Sequence, residues 1–362
     1  MIRIGIVGCG KITDQHVEQI VRIDDTEIVG VCDTEELMTR QLCERYKIMN
    51  SYTTTEQMLD DLSLDVVHIN SPPQYHHKLG NMCIDAGCHV FFEKPFALNY
   101  SEAKSIIDRA DEAGVKITVG HKYQFTHVAR YMRELISNGY LGGPPVHMES
   151  TYCYSFGDPS YAKALLGDQH HWARTLPGRL LHNIISHGIC KITEFLSNED
   201  CDIVAAGYTS SFLKSINEMD IIDELRVIIN DNEKTSAYFT FSSQMKPSIH
   251  QFTIYGPENG IHIDNDIQSL IKLSGKEYKS FLNQFLPPYQ LARQYRKNST
   301  RNMKKFLKSD FHYNSGLKFL IESFYRSILY DDPLPFTYKE ILLTNLIMDR
   351  IFEQIYAEKE KI

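Results

Sequence analysis

The sequence predicts a two-domain protein: an α/β domain with a doubly wound parallel sheet, followed by an α+β domain with an open, mostly antiparallel sheet. The chain has 362 residues, a length that commonly divides into two domains. Up to about residue 120, short apolar runs alternate with amphipathic stretches, as in parallel strands joined by crossover helices. From about residue 146 the extended segments alternate apolar and polar residues, which favours strands with one solvated face. We therefore expect domains at residues 1–122 and 123–362.

The elements of the first domain follow from their residue patterns. Short apolar runs rich in β-branched residues predict strands, and helical spacing of apolar residues predicts the helices between them. The predicted strands are Ile2 to Val7, Glu27 to Cys32, Val66 to Ile69, His89 to Phe92 and Lys116 to Val119. The predicted helices are Asp14 to Ile23, Glu35 to Tyr46, Tyr75 to Ala86 and Tyr100 to Ala113.

The second domain is predicted to begin with a helix and to continue mainly as strands. The helix is Val128 to Asn138, and the strands are Pro145 to Tyr154, Glu224 to Ile229, Thr235 to Ser242 and Gln251 to Tyr255. Turn residues at 231–232 and 257–260 are typical of hairpin loops. Helical spacing of Leu, Ile and Phe predicts two C-terminal helices, Ser315 to Tyr330 and Tyr338 to Ile355.

Composition excludes several classes of function. The chain carries 38 Lys and Arg against 46 Asp and Glu, a net charge of −8, which argues against a nucleic-acid partner. It has no apolar run long enough for a membrane span, and its N-terminus lacks the pattern of a signal peptide. The eight cysteines form no CxxC pair and no compact framework. We therefore expect a cytoplasmic protein with reduced thiols.

Residues 8–13, GCGKIT, predict a phosphate-binding turn. They follow a predicted strand and precede a predicted helix, the context that a dinucleotide-binding fingerprint requires. Gly8 permits the tight turn, and Gly10 allows the backbone to approach a diphosphate at the helix N-terminus. Thr13 departs from the Gly or Ala expected at the third position. A P-loop is the alternative, but Ile12 occupies the place of its Ser or Thr.

Asp33 at the end of the second predicted strand indicates the type of cofactor. It lies twenty residues after Thr13, where a carboxylate binds the ribose hydroxyl of NAD and repels the 2′-phosphate of NADP. No arginine follows until Arg40, so the residues predict NAD. A helix N-cap is the alternative role for Asp33, since Thr34, Glu35 and Glu36 follow it.

Further motifs occur in order along the chain: NSPP at 70–73 with His76, then AGCHVFFEKP at 86–95, and VGH at 119–121. With the glycine turn and Asp33, they resemble the Gfo/Idh/MocA family of NAD(P)-dependent oxidoreductases, named after glucose-fructose oxidoreductase and inositol dehydrogenase. The resemblance covers most of the chain and implies a Rossmann domain followed by a substrate and oligomerisation domain. The cofactor-binding residues that this interpretation gives are Gly8, Gly10, Lys11, Ile12, Asp33, Asn70, Ser71, Pro72, His76, Glu93, Lys94 and Gln124.

Lys94 is the predicted acid–base residue. At the carboxyl end of a parallel strand its amine faces the crevice where such sheets bind ligands, and partial desolvation lowers its pKa. It can then exchange a proton with a substrate hydroxyl while hydride moves to or from nicotinamide. In the family, the bond to the following proline is often cis, which we expect for Pro95.

The resemblance also implies a second catalytic element, an Asp followed four residues later by His. His187 matches, but Asn183 stands in place of the Asp. Positions i and i+4 share a helix face, so both side chains can reach one substrate, although an amide cannot act as a base. Asn183 is therefore expected to orient the substrate, while Lys94 and His187 titrate.

Other residues are expected at the substrate site by the same resemblance. Tyr123, Trp172 and Arg174 match positions that line the pocket, although core packing is an equal alternative for the tryptophan. His182, Cys190 and Glu194 lie near His187 in the sequence, so a zinc site is an alternative, but the spacing fits no strong ligand pattern, and we predict no metal.

A basic segment, residues 293–308, contains seven cations and no acid. It favours either a phosphate-bearing substrate, an anionic membrane surface or a solvated surface segment. The predicted activity is hydride transfer between NAD and a sugar, nucleotide sugar or cyclitol, in a homodimer or homotetramer. The alternatives are a non-redox sugar enzyme that uses bound NAD transiently, and an NAD-binding regulator or scaffold.

Overall fold

The computed structural model describes residues 1–154, 166, 168, 170–308 and 314–357. They form two compact units. The first contains Met1–Lys122 and Gly316–Leu346, and the second contains the described residues of 123–315 and those after 346. The segment 316–346 was expected in the second domain. It belongs to the first unit because Phe324 packs edge-on against Phe91 in the core of the parallel sheet, with ring centroids 6.1 Å apart.

Elements are numbered in chain order over the described residues. The strands are β1 Ile2–Val7, β2 Thr26–Cys32, β3 Ser51–Tyr52, β4 Val66–Ile69, β5 His89–Phe92, β6 Ile117–Val119, β7 His147–Cys153, β8 Asp202–Tyr208, β9 Glu224–Asn230, β10 Ser236–Ser242, β11 His250–Tyr255, β12 Asn259–Asp264 and β13 Ser269–Ser274. The helices are α1 Lys11–Ile20, α2 Glu36–Tyr46, α3 Thr55–Asp61, α4 His76–Asp85, α5 Tyr100–Ala113, α6 His127–Ser137, α7 Arg179–Ile184, α8 Ser186–Thr193, α9 Ser211–Ser215, α10 Leu282–Leu307, α11 Ser315–Tyr330 and α12 Tyr338–Ala357. None of these helices is long and apolar enough to cross a bilayer.

The first unit is built on a six-stranded sheet in the order β3-β2-β1-β4-β5-β6. Every neighbouring pair of strands is parallel. The chain order reverses between β1 and β4, so the carboxyl ends of these strands flank the crevice in which open α/β sheets bind ligands. The predicted doubly wound parallel sheet is confirmed.

The second unit contains a seven-stranded sheet in the order β13-β12-β11-β7-β10-β9-β8. Only β7 and β10 pair in parallel, and the other neighbours are antiparallel. Leu225, Val227 and Ile229 of β9 are buried, whereas Ile228 between them is 50% exposed. The predicted open, mostly antiparallel sheet with one solvated face is therefore confirmed.

Helix α10 covers the edge strand β13 through side-chain amides. Gln294 accepts a hydrogen bond from the Lys272 N–H at 2.8 Å and donates to the Lys272 carbonyl at 3.1 Å. Asn298 makes the same pair of bonds with Leu270, at 3.3 and 2.8 Å. The two carboxamides thus replace a neighbouring strand and block the sheet edge against further pairing.

Most predicted elements lie within a few residues of their observed bounds, but several elements were not predicted, from the two-residue strand β3 to the 26-residue helix α10. α1 begins at Lys11 instead of Asp14, because Gly10 is its N-cap. β3 contains two residues and α3 seven, too few for a periodic pattern. The predicted hairpin loop at 257–260 is shorter than expected, because Asn259 and Gly260 already pair with β13.

Candidate active site

The glycine turn of the first unit fits a diphosphate. Gly8 has φ +93°, and a Cβ there would lie 2.8 Å from the carbonyl carbon of Asn70 and from the amide nitrogen of Ser71. Only glycine fits this close approach of β1 to β4. Around Gly10, by contrast, a Cβ would meet nothing within 4 Å. The space above Gly10 is open, and the first amides of α1, on Lys11 and Ile12, have no intrahelical acceptors.

Thr13, which departs from the fingerprint, connects the turn to the neighbouring strand. Its buried hydroxyl donates to the Gly8 carbonyl at 2.6 Å, and it accepts a hydrogen bond from Asn70 Nδ2 at 3.2 Å. A Gly or Ala at this position could make neither bond. The departure therefore exchanges close helix packing for two hydrogen bonds that hold the phosphate-binding turn against the end of β4.

Asp33 lies beside the glycine turn. One carboxylate oxygen accepts from the Cys9 N–H at 2.7 Å, and the other accepts from the Glu35 N–H at 3.0 Å. The residue that precedes α2 as its N-cap is Glu35, so the alternative role of Asp33 as the cap was wrong. Each carboxylate oxygen has a second lone pair, which suits the hydroxyls of a ribose.

Polar groups at the end of β4 also fit a cofactor. The Oδ1 atom of Asn70 and the hydroxyl of Ser71 are buried and have no hydrogen-bond partner within the described part of the chain. Buried polar atoms in native proteins are nearly always satisfied, so these two indicate a ligand with polar atoms at this edge of the sheet. Pro72 follows them as the N-cap of a short 3₁₀ helix, Pro73–Tyr75.

His76 contributes to this edge indirectly. It is fully buried, and its ring nitrogens lie 3.0 Å from the Phe96 carbonyl and 2.9 Å from the Ser71 carbonyl. The predicted contact of His76 with the cofactor stays a prediction. Within the protein, His76 joins the loop after β4 to the loop after β5, and burial lowers its pKa.

Lys94 directly follows Glu93 at the carboxyl end of β5, and its bond to Pro95 is cis, as expected. Burial lowers the pKa of the Lys94 amine, and the negative charge of Glu93 opposes this shift. The amine is therefore deprotonated more readily than an exposed lysine, as a proton acceptor for a substrate hydroxyl requires.

Two further titratable side chains, His121 and Lys122, follow β6 at the same edge of the sheet as Lys94. Burial and the positive charge of Lys94 lower the pKa of His121 to about 3, so its imidazole is neutral. Burial lowers the pKa of Lys122 to about 8, and its amine donates to Gln15 Oε1 at 2.9 Å. Sequence reasoning missed Lys122, although a lysine just beyond the end of a parallel strand is the same signal that identified Lys94.

Glu93 is held by a buried hydrogen-bond network. One carboxylate oxygen lies 2.9 Å from His16 Nε2, and the other accepts from the Lys94 N–H at 3.0 Å. His16 Nδ1 lies 2.9 Å from His68 Nδ1, and His68 Nε2 lies 2.8 Å from the hydroxyl of Tyr325. The network thus runs from α11 through β4 and α1 to the residue before Lys94.

The protonation states of this network follow from its geometry. In the arrangement with Glu93 ionised and a neutral His16, His16 Nε2 donates to the carboxylate, and its Nδ1 is an acceptor. His68 must donate through Nδ1 and accept at Nε2, so the hydroxyl of Tyr325 donates to it. Burial lowers the pKa of His68, which keeps its ring neutral. In this arrangement each of the four hydrogen bonds has one donor and one acceptor, and the Glu93 carboxylate carries the only charge of the network. The bonds fix the position of this carboxylate beside Lys94.

In the second unit, Asn183 and His187 lie on consecutive helices, α7 and α8, joined through Ile185. Both side chains are buried. The ring of His187 contacts Tyr123 edge-on at 4.9 Å between centroids, and it lies 5.6 Å from the ring of Tyr152. The aromatic rings restrict the orientation of the imidazole, as a positioned acid or hydrogen-bond donor requires.

Lys191 and His250 join this cluster and were not predicted. The Lys191 amine is buried, donates no hydrogen bond to any group in the described ranges, and has a pKa lowered by burial to about 8. Burial of His250 and, to a lesser extent, the positive charge of Lys191 lower the pKa of the His250 ring, which lies 4.3 Å from the ring of Tyr123. Lys191 follows His187 by four residues in a helix with no other Lys, Arg, Asp or Glu, and this is the signal that could have identified it.

The remaining predicted residues are engaged within the second unit. Gln124 Nε2 donates to the Cys190 carbonyl and to Glu194, at 3.0 and 3.1 Å, which leaves its Oε1 for another group. Arg174 forms a bidentate ion pair with Glu218 at 3.0 and 2.7 Å. Trp172 stacks on His171 at 5.5 Å between centroids. Their roles toward cofactor or substrate stay predictions.

The arrangement of potential metal ligands in the structure bears on the zinc alternative. Across the residues that the structure describes, no group of three or more His, Cys, Asp or Glu could hold a metal ion. His182, one of the residues weighed for zinc, stacks instead on Phe352 at 5.2 Å between ring centroids.

Comparison with known proteins agrees with this geometry. Residues 2–121 match the Gfo/Idh/MocA family model, described as an oxidoreductase family with an NAD-binding Rossmann fold. The chain is 31% identical over 142 residues to D-glucoside 3-dehydrogenase of Escherichia coli, covering 39% of this chain and 40% of that protein. It is 30% identical over 145 residues to myo-inositol 2-dehydrogenase of Thermotoga maritima, covering 40% of this chain and 43% of that protein. The aligned region thus spans about two fifths of the length of these relatives.

A solved structure resembles the whole chain. The WlbA dehydrogenase from Bordetella pertussis, in complex with NADH and UDP-GlcNAcA, superposes with a TM-score of 0.78 and 16% identity, covering 99% of this chain and 96% of that one. This likeness shows a shared fold. The glycine turn, Asp33 and the polar end of β4 fit the cofactor named by the family model, and residues 2–121 therefore belong to the Gfo/Idh/MocA oxidoreductases as an NAD-binding Rossmann domain.

Proposed function

We propose that the chain is an NAD-dependent dehydrogenase or reductase that acts on a CH–OH group of a polyhydroxylated substrate such as a sugar, a nucleotide sugar or a cyclitol. The observation that carries the proposal is the Lys94 amine, whose pKa is lowered by burial at the carboxyl end of β5. Lys94 belongs to the same unit as the glycine turn and Asp33, whose geometry fits NAD. The relatives named D-glucoside 3-dehydrogenase and myo-inositol 2-dehydrogenase support a substrate with several hydroxyls.

Each unit has its own part in the proposed reaction. NAD, when bound, would supply the hydride acceptor for oxidation of the substrate carbon and, as NADH, the hydride donor for its reduction. Lys94 Nζ takes the hydroxyl proton during oxidation and returns it during reduction, so that proton and hydride leave the same CH–OH group. His187 and Asn183 orient the substrate, with Tyr123, Trp172 and Arg174 as further substrate contacts and Gln124 as a cofactor contact.

The cofactor assignment predicts a preference for NADH over NADPH. Fluorescence titration of both cofactors should give a Kd for NADH lower by about tenfold or more, because the Asp33 carboxylate repels a 2′-phosphate. Asp33→Asn keeps an acceptor for the Cys9 amide but removes the negative charge. It should therefore reduce the difference between the Kd values for NADH and NADPH. Glu36→Gln, an exposed acid in the first turn of α2, is the matched control. Equal affinities in the unmodified protein would contradict the role of Asp33.

Asn183 supports a second candidate function. The family motif has an Asp there, and the buried amide of Asn183 can position a hydroxyl but cannot take a proton. The alternatives are a non-redox reaction with transiently reduced NAD, or a regulator that binds NAD without turnover. Asn183→Asp separates these functions. A gain of about tenfold or more in substrate oxidation would favour lost catalysis, and a comparable fall would favour a site specialised around the amide.

The quaternary structure and the compartment are part of the same proposal. The solvated face of the second sheet exposes Val204, Ile228 and Tyr238, each about half exposed or more. Apolar residues at this density on one face support a homodimer or homotetramer formed through the sheet. The cysteines are free thiols, which fits a cytoplasmic enzyme.

A further inference from the structure

Helix α10 exposes far more apolar surface than its packing explains. Of its 26 residues, all of them described, only Asn298 is buried. The contacts with β13 are amide hydrogen bonds and use one side of the helix. Residues three and four apart share a face, and one such series lies away from β13. Its apolar members are Leu282, Phe285, Tyr289, Met303 and Leu307. We call this series with its flanking cations the basic helix face.

The exposure of these side chains is large. Phe285 is 63% exposed, Tyr289 is 68% exposed and Leu307 is 74% exposed. A row of large apolar side chains at helical spacing differs from the single exposed apolar residues that are common on protein surfaces. Such a row is typical of a surface that something else covers.

The same face is strongly cationic. Arg293, Arg296, Lys297 and Lys304 lie between and beside the apolar residues, and all four are exposed. No Asp or Glu occurs between Glu277 and position 310, although the chain as a whole carries a net charge of −8. An anionic partner would therefore meet only positive charge along about seven turns of helix.

Aromatic, Leu and Met side chains interleaved with Lys and Arg match the chemistry of a bilayer surface. The apolar groups enter the boundary between headgroups and acyl chains, while the cations remain hydrated beside lipid phosphates. A protein interface would bury these cations, and cores of protein interfaces are depleted of Lys. Burying the cations without carboxylate partners would also cost several kcal/mol for each ion.

We propose that the basic helix face binds the surface of an anionic phospholipid bilayer and holds the protein there as a peripheral protein. The interaction is independent of hydride transfer. It accounts with one partner for the exposed cations of residues 293–308 and for the exposed aromatic residues.

The test is co-sedimentation of the full chain with sucrose-loaded vesicles. Binding is expected to vesicles of phosphatidylcholine with phosphatidylglycerol, not to phosphatidylcholine alone, and it should weaken at high salt. Arg296→Ala combined with Lys297→Ala should lower the partition coefficient by about 30-fold, at about fivefold for each cation. Phe285→Ser combined with Tyr289→Ser should lower it by about tenfold or more.

The matched control is Arg22→Ala combined with Lys234→Ala, which removes two exposed cations elsewhere and should leave the partition coefficient unchanged. NADH titration of every variant checks that the fold is intact. Lack of binding to the anionic vesicles would overturn the proposal, as would binding that the helix variants do not weaken. If the helix variants instead lower the mass measured by light scattering while vesicles remain unbound, the face is an interface between copies of this chain.

Discussion

Lys94→Met is expected to lower kcat by about 10² to 10⁴, the usual contribution of a general acid or base. Met has a similar length but no proton to exchange, so the loss reports on acid–base chemistry more than on packing. The Kd for NADH should change by about twofold at most, because the substitution leaves the glycine turn and Asp33 intact. Steady-state turnover with a sugar or cyclitol substrate and a fluorescence titration with NADH measure the two effects.

Lys122→Met is the matched control for that variant. Lys122 is also a half-buried lysine just beyond the carboxyl edge of the same sheet, with a pKa lowered to about 8, and its amine donates to Gln15. Its replacement should reduce kcat much less than Lys94→Met. Near-normal turnover in Lys94→Met, or an equal loss in both variants, would show that Lys94 is not the proton acceptor.

The pH dependence supplies a second check on Lys94. A lowered pKa means that the neutral amine, which accepts the proton, becomes the major form at a lower pH than in an exposed lysine. The rate of oxidation should therefore rise with pH to a plateau, with an apparent pKa below the ordinary value of 10.5. Reduction needs the protonated amine and should show the opposite trend. Both trends should disappear in Lys94→Met.

The parts of the site that the sequence predicts are local in the chain. Gly8, Gly10 and Asp33 fall within one strand–helix–strand unit, where a fixed spacing along the chain imposes a fixed arrangement in space. Lys94 was predictable for the same reason, since the end of a parallel strand has a known place in this fold. The fold class followed from the change of residue periodicity near residue 120, because that periodicity reports directly which faces are buried.

The missed features depend on contacts between distant residues. His68 and Tyr325 share a hydrogen bond across 257 positions. Nothing in the local pattern around either residue indicates it, since a histidine in an apolar strand has many ordinary explanations. The return of residues 316–346 to the first unit was missed likewise, because helical spacing shows that a face is buried but not against which sheet. Sequence periodicity thus predicts burial, and pairing requires the structure.

Gly10→Ala is expected to separate cofactor binding from folding. Gly10 has φ −74° and ψ −176°, a conformation that alanine adopts, and its Cβ would meet nothing within 4 Å. The free energy of unfolding should therefore stay within about 1 kcal/mol of the unmodified protein, or rise slightly. With NADH, however, the new methyl group would enter the space through which the diphosphate approaches the backbone. A forced contact of this kind costs about 1 to 3 kcal/mol, which predicts a Kd about 10 to 100 times higher.

Gly8→Ala provides the contrast that makes this result specific. Its Cβ would lie 2.8 Å from backbone atoms of Asn70 and Ser71, and its φ of +93° is unfavourable for alanine. This variant should lose stability as well as affinity, since the strain is present without any ligand. Chemical denaturation and NADH titration of both variants therefore form one experiment. If Gly10→Ala binds NADH normally while Gly8→Ala unfolds more easily, the turn is a structural feature, and the diphosphate lies elsewhere. Loss of affinity without loss of stability at Gly10 locates the diphosphate above this glycine.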